Sequence, residues 1–202
     1  MAANDADAHI RALQLARECI ALGARLGTVA DVTGLSQAAL RTHFYRRDRA
    51  TNGRRPESSD WVFDGNLCLR AEGAEFANIF TALLERQRCA PADALVAAYR
   101  LFVERSAHRS ELTFDKAFLL VSDLCGVWKR TAPSLAMHRC PRCLARYIAA
   151  VGAPPPMTKG CVFCILVQRL PRDPRVQAHF VRRQRVVPSI VAPAEADSET
   201  GA

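Results

Sequence analysis

Four cysteines, Cys140, Cys143, Cys161 and Cys164, form two C-x-x-C pairs with seventeen residues between them. Thiolates at this spacing do the chemistry of a structural zinc site: two short turns each present two sulfurs, and the connection is long enough to bring the second pair onto the first. Four sulfur ligands complete the tetrahedron and leave no open position for catalysis, so one Zn²⁺ per chain is expected to act as a crosslink. The alternative chemistry is that of a thiol-disulfide oxidoreductase using Cys140 and Cys143, whose thiolates neighbouring arginines would favour. Against it, no predicted strand leads into a helix that begins at that pair. No Gly-rich phosphate loop, H-E-x-x-H helix or nucleophile elbow is present to anchor another catalytic reading, and a non-enzyme is expected.

A second group of side chains has the chemistry of DNA recognition. Thr28 to Arg47 reads T-V-A-D-V-T-G-L-S-Q-A-A-L-R-T-H-F-Y-R-R, which predicts two short helices meeting at a turn: Thr28 caps the first, Gly34 provides the turn, Leu35 plugs the angle and Ser36 caps the second. Leu40 and Phe44 then face inward, leaving Gln37, Ala38, Arg41, Thr42 and Arg46 outward, where a recognition helix meets the major groove. The competing reading is a helix pair that merely packs. The arginines that follow favour DNA: residues 39 to 55 hold six arginines against Asp48 alone, and residues 165 to 187 hold six more against Asp173. Arg46 and Arg47 in the first cluster, and Arg182 and Arg183 in the second, are candidate phosphate contacts. A third cluster, Lys129, Arg130, Arg139, Arg142, Arg146 and Lys159, surrounds the cysteines and is expected to offset the negative charge of a four-thiolate zinc centre.

The chain of 202 residues carries a net charge of +8 and a pI near 9.4, a balance that suits a polyanionic partner. No window approaches the roughly 18 apolar residues that a membrane span needs, and Asp5 and Asp7 lie where a secretion signal would be basic. A cytoplasmic protein with Cys19, Cys68, Cys89 and Cys125 as reduced core thiols is expected.

The elements that must hold these groups read as mainly α. Ile10, Leu13, Ala16, Ile20 and Ala24 form one apolar stripe from Ala8 to about Ala24, with Gly23 and Gly27 at its fraying end. Residues 66 to 86 repeat the pattern through Leu69, Phe76, Phe80, Leu83 and Leu84. Pro91 opens a helix to about Arg105 with Leu95, Tyr99 and Phe102 inward. Thr113 caps a last helix carrying Phe114, Phe118, Val121, Cys125 and Trp128 until Pro133 ends it. The expected organisation is a helical domain at 1–130 with the helix-turn-helix candidate at 28–47, an internal linker at 49–60, a zinc-binding and basic region at 131–187, and a disordered acidic tail at 188–202. The zinc region should be shapeless without metal, with Leu144, Ile148, Phe163 and Leu166 docking it onto the helices; Leu144 and Ile165 stand where a zinc knuckle often has glycine.

Several stretches together resemble the C subunit of the bacterial flagellar master transcriptional activator, the FlhC family: A-L-G-A-R-L at Ala21 to Leu26, G-L-S at Gly34 to Ser36, Asp60-Trp61, A-Y-R-L at Ala98 to Leu101, and the two C-x-x-C pairs. The resemblance runs from about residue 8 to 176. It implies a largely helical protein with a four-cysteine zinc site at Cys140, Cys143, Cys161 and Cys164. It also implies a hetero-oligomer with a companion D subunit, in which D-type chains outnumber C-type chains. That complex would bind double-stranded promoter DNA upstream of flagellar genes and activate transcription by contacting RNA polymerase holoenzyme. A zinc-stabilised adaptor that joins proteins without touching DNA is the remaining alternative.

Overall fold

A computed structural model describes residues 2–44, 56–106, 110–156 and 160–184. Its helices are α1 (Ala2–Ala21), α2 (Leu26–Thr33), α3 (Gln37–His43), α4 (Trp61–Asp64), α5 (Leu67–Gln87), α6 (Pro91–Arg105), α7 (Phe114–Cys125), α8 (Val162–Arg169) and α9 (Pro174–Gln184). Two strands, β1 (Leu135–Arg139) and β2 (Arg146–Ala150), pair antiparallel between α7 and α8. Arg46, Arg47, Lys159, most of the 49–60 linker and the 188–202 tail lie outside the described residues.

The long helix α5 is the axis of the fold. One side of it packs on α6 and α7 through a nest of rings: Phe76 meets Phe102 edge-on at 6.2 Å, and Tyr99 meets Phe114 edge-on at 5.1 Å. Phe76, Phe80, Phe102, Phe114 and Phe118 are almost wholly buried, and each such ring contributes about 1.5–3 kcal/mol of transfer free energy. Its other side, through Cys68, Ala71 and Ala74, meets Tyr147, Ala149, Cys161, Val162 and Leu166 in a second, smaller core. Asn78 fastens that contact by donating from Nδ2 to the Arg146 carbonyl at 3.0 Å.

Local signals set several boundaries as expected. Pro91 stands at the start of α6, which ends at Arg105, and Thr113 Oγ1 caps α7 by accepting from Lys116 N–H. Others move. Gly27 lies inside α2 rather than in a fraying end, and Ile10 of the α1 stripe is exposed. α7 stops at Cys125 because Gly126 turns left-handed (φ 65°), so Trp128 lies beyond the helix, stacked on Phe118 at 5.2 Å. A Cβ at Gly126 would come within 2.7 Å of the backbone at Ala132 and Pro133, so glycine is required there.

Three buried carboxylates tie distant segments together. Glu72 on α5 accepts from Ser110 Oγ and the N–H groups of Glu111 and Leu112, and faces His179 of α9 at 3.4 Å. Asp123 on α7 accepts from Ser59 Oγ, Arg130 Nε and Ser134 Oγ. Burial works against its ionisation, but these donors, with Arg130 foremost, hold its pKa below the usual carboxylate value. Asp115 on α7 accepts from Arg25 N–H, Arg25 Nη1 and Thr28 Oγ1, which fixes the start of α2.

Candidate functional site

The first cysteine pair sits at the tip of the β hairpin. Arg139 pairs with Arg146 as the last rung, Cys140 N–H donates to Ala145 O at 2.9 Å, and Leu144 N–H returns to Cys140 O at 2.9 Å. Closing so tight a turn requires a left-handed residue, and Leu144 adopts that conformation itself (φ 62°). Its side chain is 64% exposed and docks nothing, contrary to the docking role expected from sequence. An L-residue held there costs roughly 1–2 kcal/mol, whereas glycine would bear none of that cost but more unfolded-state entropy. Leu144→Gly is therefore expected to stabilise the metal-loaded chain by about 0.5–1 kcal/mol; a denaturant titration that shows a loss instead would refute the strain argument.

The second pair lies on no comparable knuckle. Cys161 is the residue before α8 and Cys164 lies in its first turn, so helical winding brings both sulfurs to one side. That is why Ile165 needs no glycine: it is helical, its N–H bonded to Cys161 O at 3.1 Å. The special position is instead Gly160 (φ 73°), where a Cβ would lie 2.8 Å from Cys164 Sγ and 2.6 Å from its Cβ.

The two pairs converge. All four Sγ atoms lie within 4.8 Å of one another, with Cys140 to Cys164 at 3.8 Å, Cys143 to Cys161 at 3.5 Å and Cys161 to Cys164 at 4.0 Å. A tetrahedral zinc with Zn–S bonds of about 2.3 Å has sulfur-sulfur edges of about 3.8 Å, whereas a disulfide needs about 2.05 Å. The protonation chemistry agrees. Backbone N–H groups, that of Cys143 first, draw the Cys140 thiol down to about 6, while burial pushes Cys161 up to about 12. Cys164 is also raised, by the Cys143 sulfur first. Four clustered thiols resist joint ionisation unless a cation takes the charge, and a divalent ion would do so. The donor set and its spacing therefore fit a metal ion.

Three residues of the basic cluster around the cysteines also hold carboxylates. Lys129 pairs with Asp31 at 3.2 Å, Arg130 with Asp123, and Arg146 with Glu85 at 3.0 Å. Half of the cluster is thus committed to carboxylates. Asp31 and Glu85 were missed because they lie far along the chain from Lys129 and Arg146, whereas Asp123, seven residues before Arg130, was missed because nothing local marks it as buried.

The helix pair at 28–44 forms as two short helices with a sharp turn. Gly34 ends α2 in the left-handed region (φ 72°) and Ser36 Oγ accepts from Ala39 N–H at 3.1 Å, starting α3. Thr28 does not cap: α2 begins earlier, after Arg25, and the Thr28 hydroxyl is turned to Asp115. Leu40 is fully buried, Leu35 and Phe44 pack against the core, and Gln37, Ala38, Arg41 and Thr42 are exposed. Along that outer face Arg41 Nη2 reaches Gln37 Oε1 at 3.4 Å and Thr42 Oγ1 donates to Ala38 O. Arg182 and Arg183 fall on α9, remote in sequence from this pair.

The family model described as Flagellar transcriptional activator (FlhC) matches residues 2–176. The chain belongs to the FlhC family. It is 29% identical over 161 residues to the flagellar transcriptional regulator FlhC of Sodalis glossinidius, covering 76% of this chain and 77% of that relative. The FlhC regulators of Pectobacterium carotovorum and Serratia marcescens are 31% and 32% identical over 115 and 116 residues, each covering 54% of this chain and 58% of the relative. Several stretches that carried the FlhC resemblance have structural work here. Ala21 to Leu26 turns at Gly23 (φ 86°) and delivers Arg25 to Asp115. Trp61 lies against Gly73 of α5, where an added Cβ would come within 2.7 Å of the indole. Tyr99 of the A-Y-R-L stretch donates its hydroxyl to Leu112 O at 2.9 Å. Among the described residues no helix is long and apolar enough to cross a membrane.

Proposed function

We propose that this FlhC-family chain is a cytoplasmic DNA-binding subunit of a flagellar transcriptional activator and no enzyme. It assembles with a companion D subunit as a hetero-oligomer, binds double-stranded promoter DNA upstream of flagellar genes and recruits RNA polymerase holoenzyme. One structural Zn²⁺ held by Cys140, Cys143, Cys161 and Cys164 fixes a C-terminal region, 131–187, against a helical body, 1–130. The ion supplies no reaction: four sulfurs fill its tetrahedron, and its role is to join the hairpin tip to the start of α8. The gathering of four sulfurs, rather than one isolated pair, favours this over thiol-disulfide exchange.

The observation that carries the DNA reading is the outward face of α3, with Gln37, Arg41 and Thr42 exposed on a helix whose opposite side is anchored by Leu40. Gln37 suits adenine and Arg41 suits guanine in the major groove, while Arg46, Arg47, Arg182 and Arg183 hold phosphates. Co-expression with the companion subunit, metal analysis and gel-shift titrations at several salt concentrations test the reading. Arg41→Ala is expected to cost about 1–3 kcal/mol, concentrated at one base position, whereas Arg182→Ala weakens all sequences and flattens the salt dependence. Equal losses from Arg41→Ala on every DNA would remove base reading by α3. A complex with no salt-dependent affinity for any DNA would leave the protein-protein adaptor instead.

A further inference from the structure

A cavity of about 450 Å³ opens between α4, α5, β2 and α8, with no wall from α3. Val62 and Phe63 of α4, Ala74 of α5, Ile148 and Ala150 of β2 and Ile165 of α8 make it apolar, and Phe63 stays 44% exposed. Its volume lies within the range of small-molecule sites, roughly 300–1,000 Å³, which combine apolar walls with a few placed polar groups. Arg70, half-buried on α5, is the one basic side chain among the described walls. Its Nε donates to Val62 O at 3.1 Å, and no carboxylate of the described residues forms an ion pair with it. The two Nη groups are left over, and their fork grips a carboxylate through two parallel hydrogen bonds. Burial works against the Arg70 charge first, while Asp64 supports it and Arg169 opposes it. Two guanidiniums and one carboxylate leave one positive charge unmatched, which a monoanion neutralises and a dianion overshoots.

We propose that this cavity binds a small aliphatic monocarboxylate, its chain among the apolar walls and its carboxylate on the Arg70 Nη groups. The site is independent of base reading by α3. Arg70 and Ala74 belong to the helical body, whereas Ile148, Ala150 and Ile165 belong to the C-terminal region. A bound alkanoate therefore braces the two against each other.

The test is calorimetric titration of the full chain with sodium butanoate, hexanoate and octanoate, and with octan-1-ol as the uncharged analogue. Octanoate is expected to saturate one site per chain, with affinity rising about fourfold per methylene along the series and exceeding that of octan-1-ol by at least about tenfold. Arg70→Met should lower octanoate affinity by at least about tenfold and leave octan-1-ol unchanged. Ala153→Phe places a ring at a half-buried wall position, keeps Arg70 and should abolish binding of both. Hydrogen exchange should show octanoate protecting Arg146–Ala150 and Val162–Arg169 ahead of Pro91–Arg105. No saturable octanoate binding, equal affinity for octanoate and octan-1-ol, or unchanged octanoate affinity in a folded Arg70→Met chain would overturn the proposal and leave the DNA reading standing. Should Arg70→Met melt as an unfolded chain, Ala153→Phe decides, and octanoate affinity retained there would overturn the proposal equally.

Discussion

Replacing Cys161 with serine is expected to reduce bound metal from one ion per chain to almost none and to unfold the region from β1 to α8. Apparent binding energies at structural zinc sites run to about 10–16 kcal/mol, as large as the whole stability of a typical domain, about 5–15 kcal/mol. The smaller core has little to set against such a loss. Its contributions from α5 are Cys68, Ala71 and Ala74, facing Tyr147, Ala149, Val162, Leu166 and two of the cysteines, so it lacks the nest of phenylalanines that fills the main core. The main core, built on Phe76, Phe80, Phe102, Phe114 and Phe118, does not depend on the ion. Hydrogen exchange should therefore show Leu135–Arg139, Arg146–Ala150 and Val162–Arg169 losing protection while Pro91–Arg105 and Phe114–Cys125 keep it. A Cys161→Ser chain that retained a full equivalent of metal and an unchanged exchange pattern would contradict both the ligand assignment and the crosslink role.

The second large effect is expected at Asp115, which does no chemistry. Its carboxylate is 2% exposed and holds Arg25 through a 2.8 Å ion pair and a backbone N–H, together with the buried Thr28 hydroxyl. Asp115→Ala leaves a largely buried guanidinium and a hydroxyl unpaired, and breaking such a buried pair costs about 3–5 kcal/mol. Arg25 is 28% exposed and partly reached by water, which places the expectation at the lower end, about 3 kcal/mol. For a chain of this size that is a fall in Tm of roughly 6–12 °C. Because Asp115 anchors the start of α2, and α2 carries α3, the variant should also lose DNA affinity in the assembled complex out of proportion to its folded fraction. Asp115→Asn keeps an acceptor for Thr28 and should cost less. A thermal melt of Asp115→Ala within a degree or two of wild type would show that the buried network does not hold the helix pair.

The four-cysteine cluster was legible in the linear sequence because a sulfur site leaves a local trace: two thiols per short segment at fixed spacing. Local chemistry likewise marked Pro91 at the start of α6, Thr113 and Ser36 as caps and Gly34 as a turn, since each acts on backbone groups within four residues. The family resemblance was legible for the same reason, being carried by short stretches that keep their order along the chain.

What the sequence left undetermined depended on partners far away. Thr28 has the look of a cap, yet its hydroxyl serves Asp115, 87 residues on. Asp115 itself reads as an ordinary first-turn acid, and nothing near it announces burial. The β hairpin gave no sustained alternation, because its strands are five residues each and lie half on the main core and half on the smaller one. Lys129 and Arg146 read as part of a cationic halo for the metal until the fold supplied Asp31 and Glu85. Spacing alone thus determined which atoms could bind an ion, because those constraints act through a few bonds. Only the tertiary structure decided which charges pair and where Leu144 is strained, because those depend on dielectric and proximity that exist only once α5 has the hairpin on one face and α6 and α7 on the other.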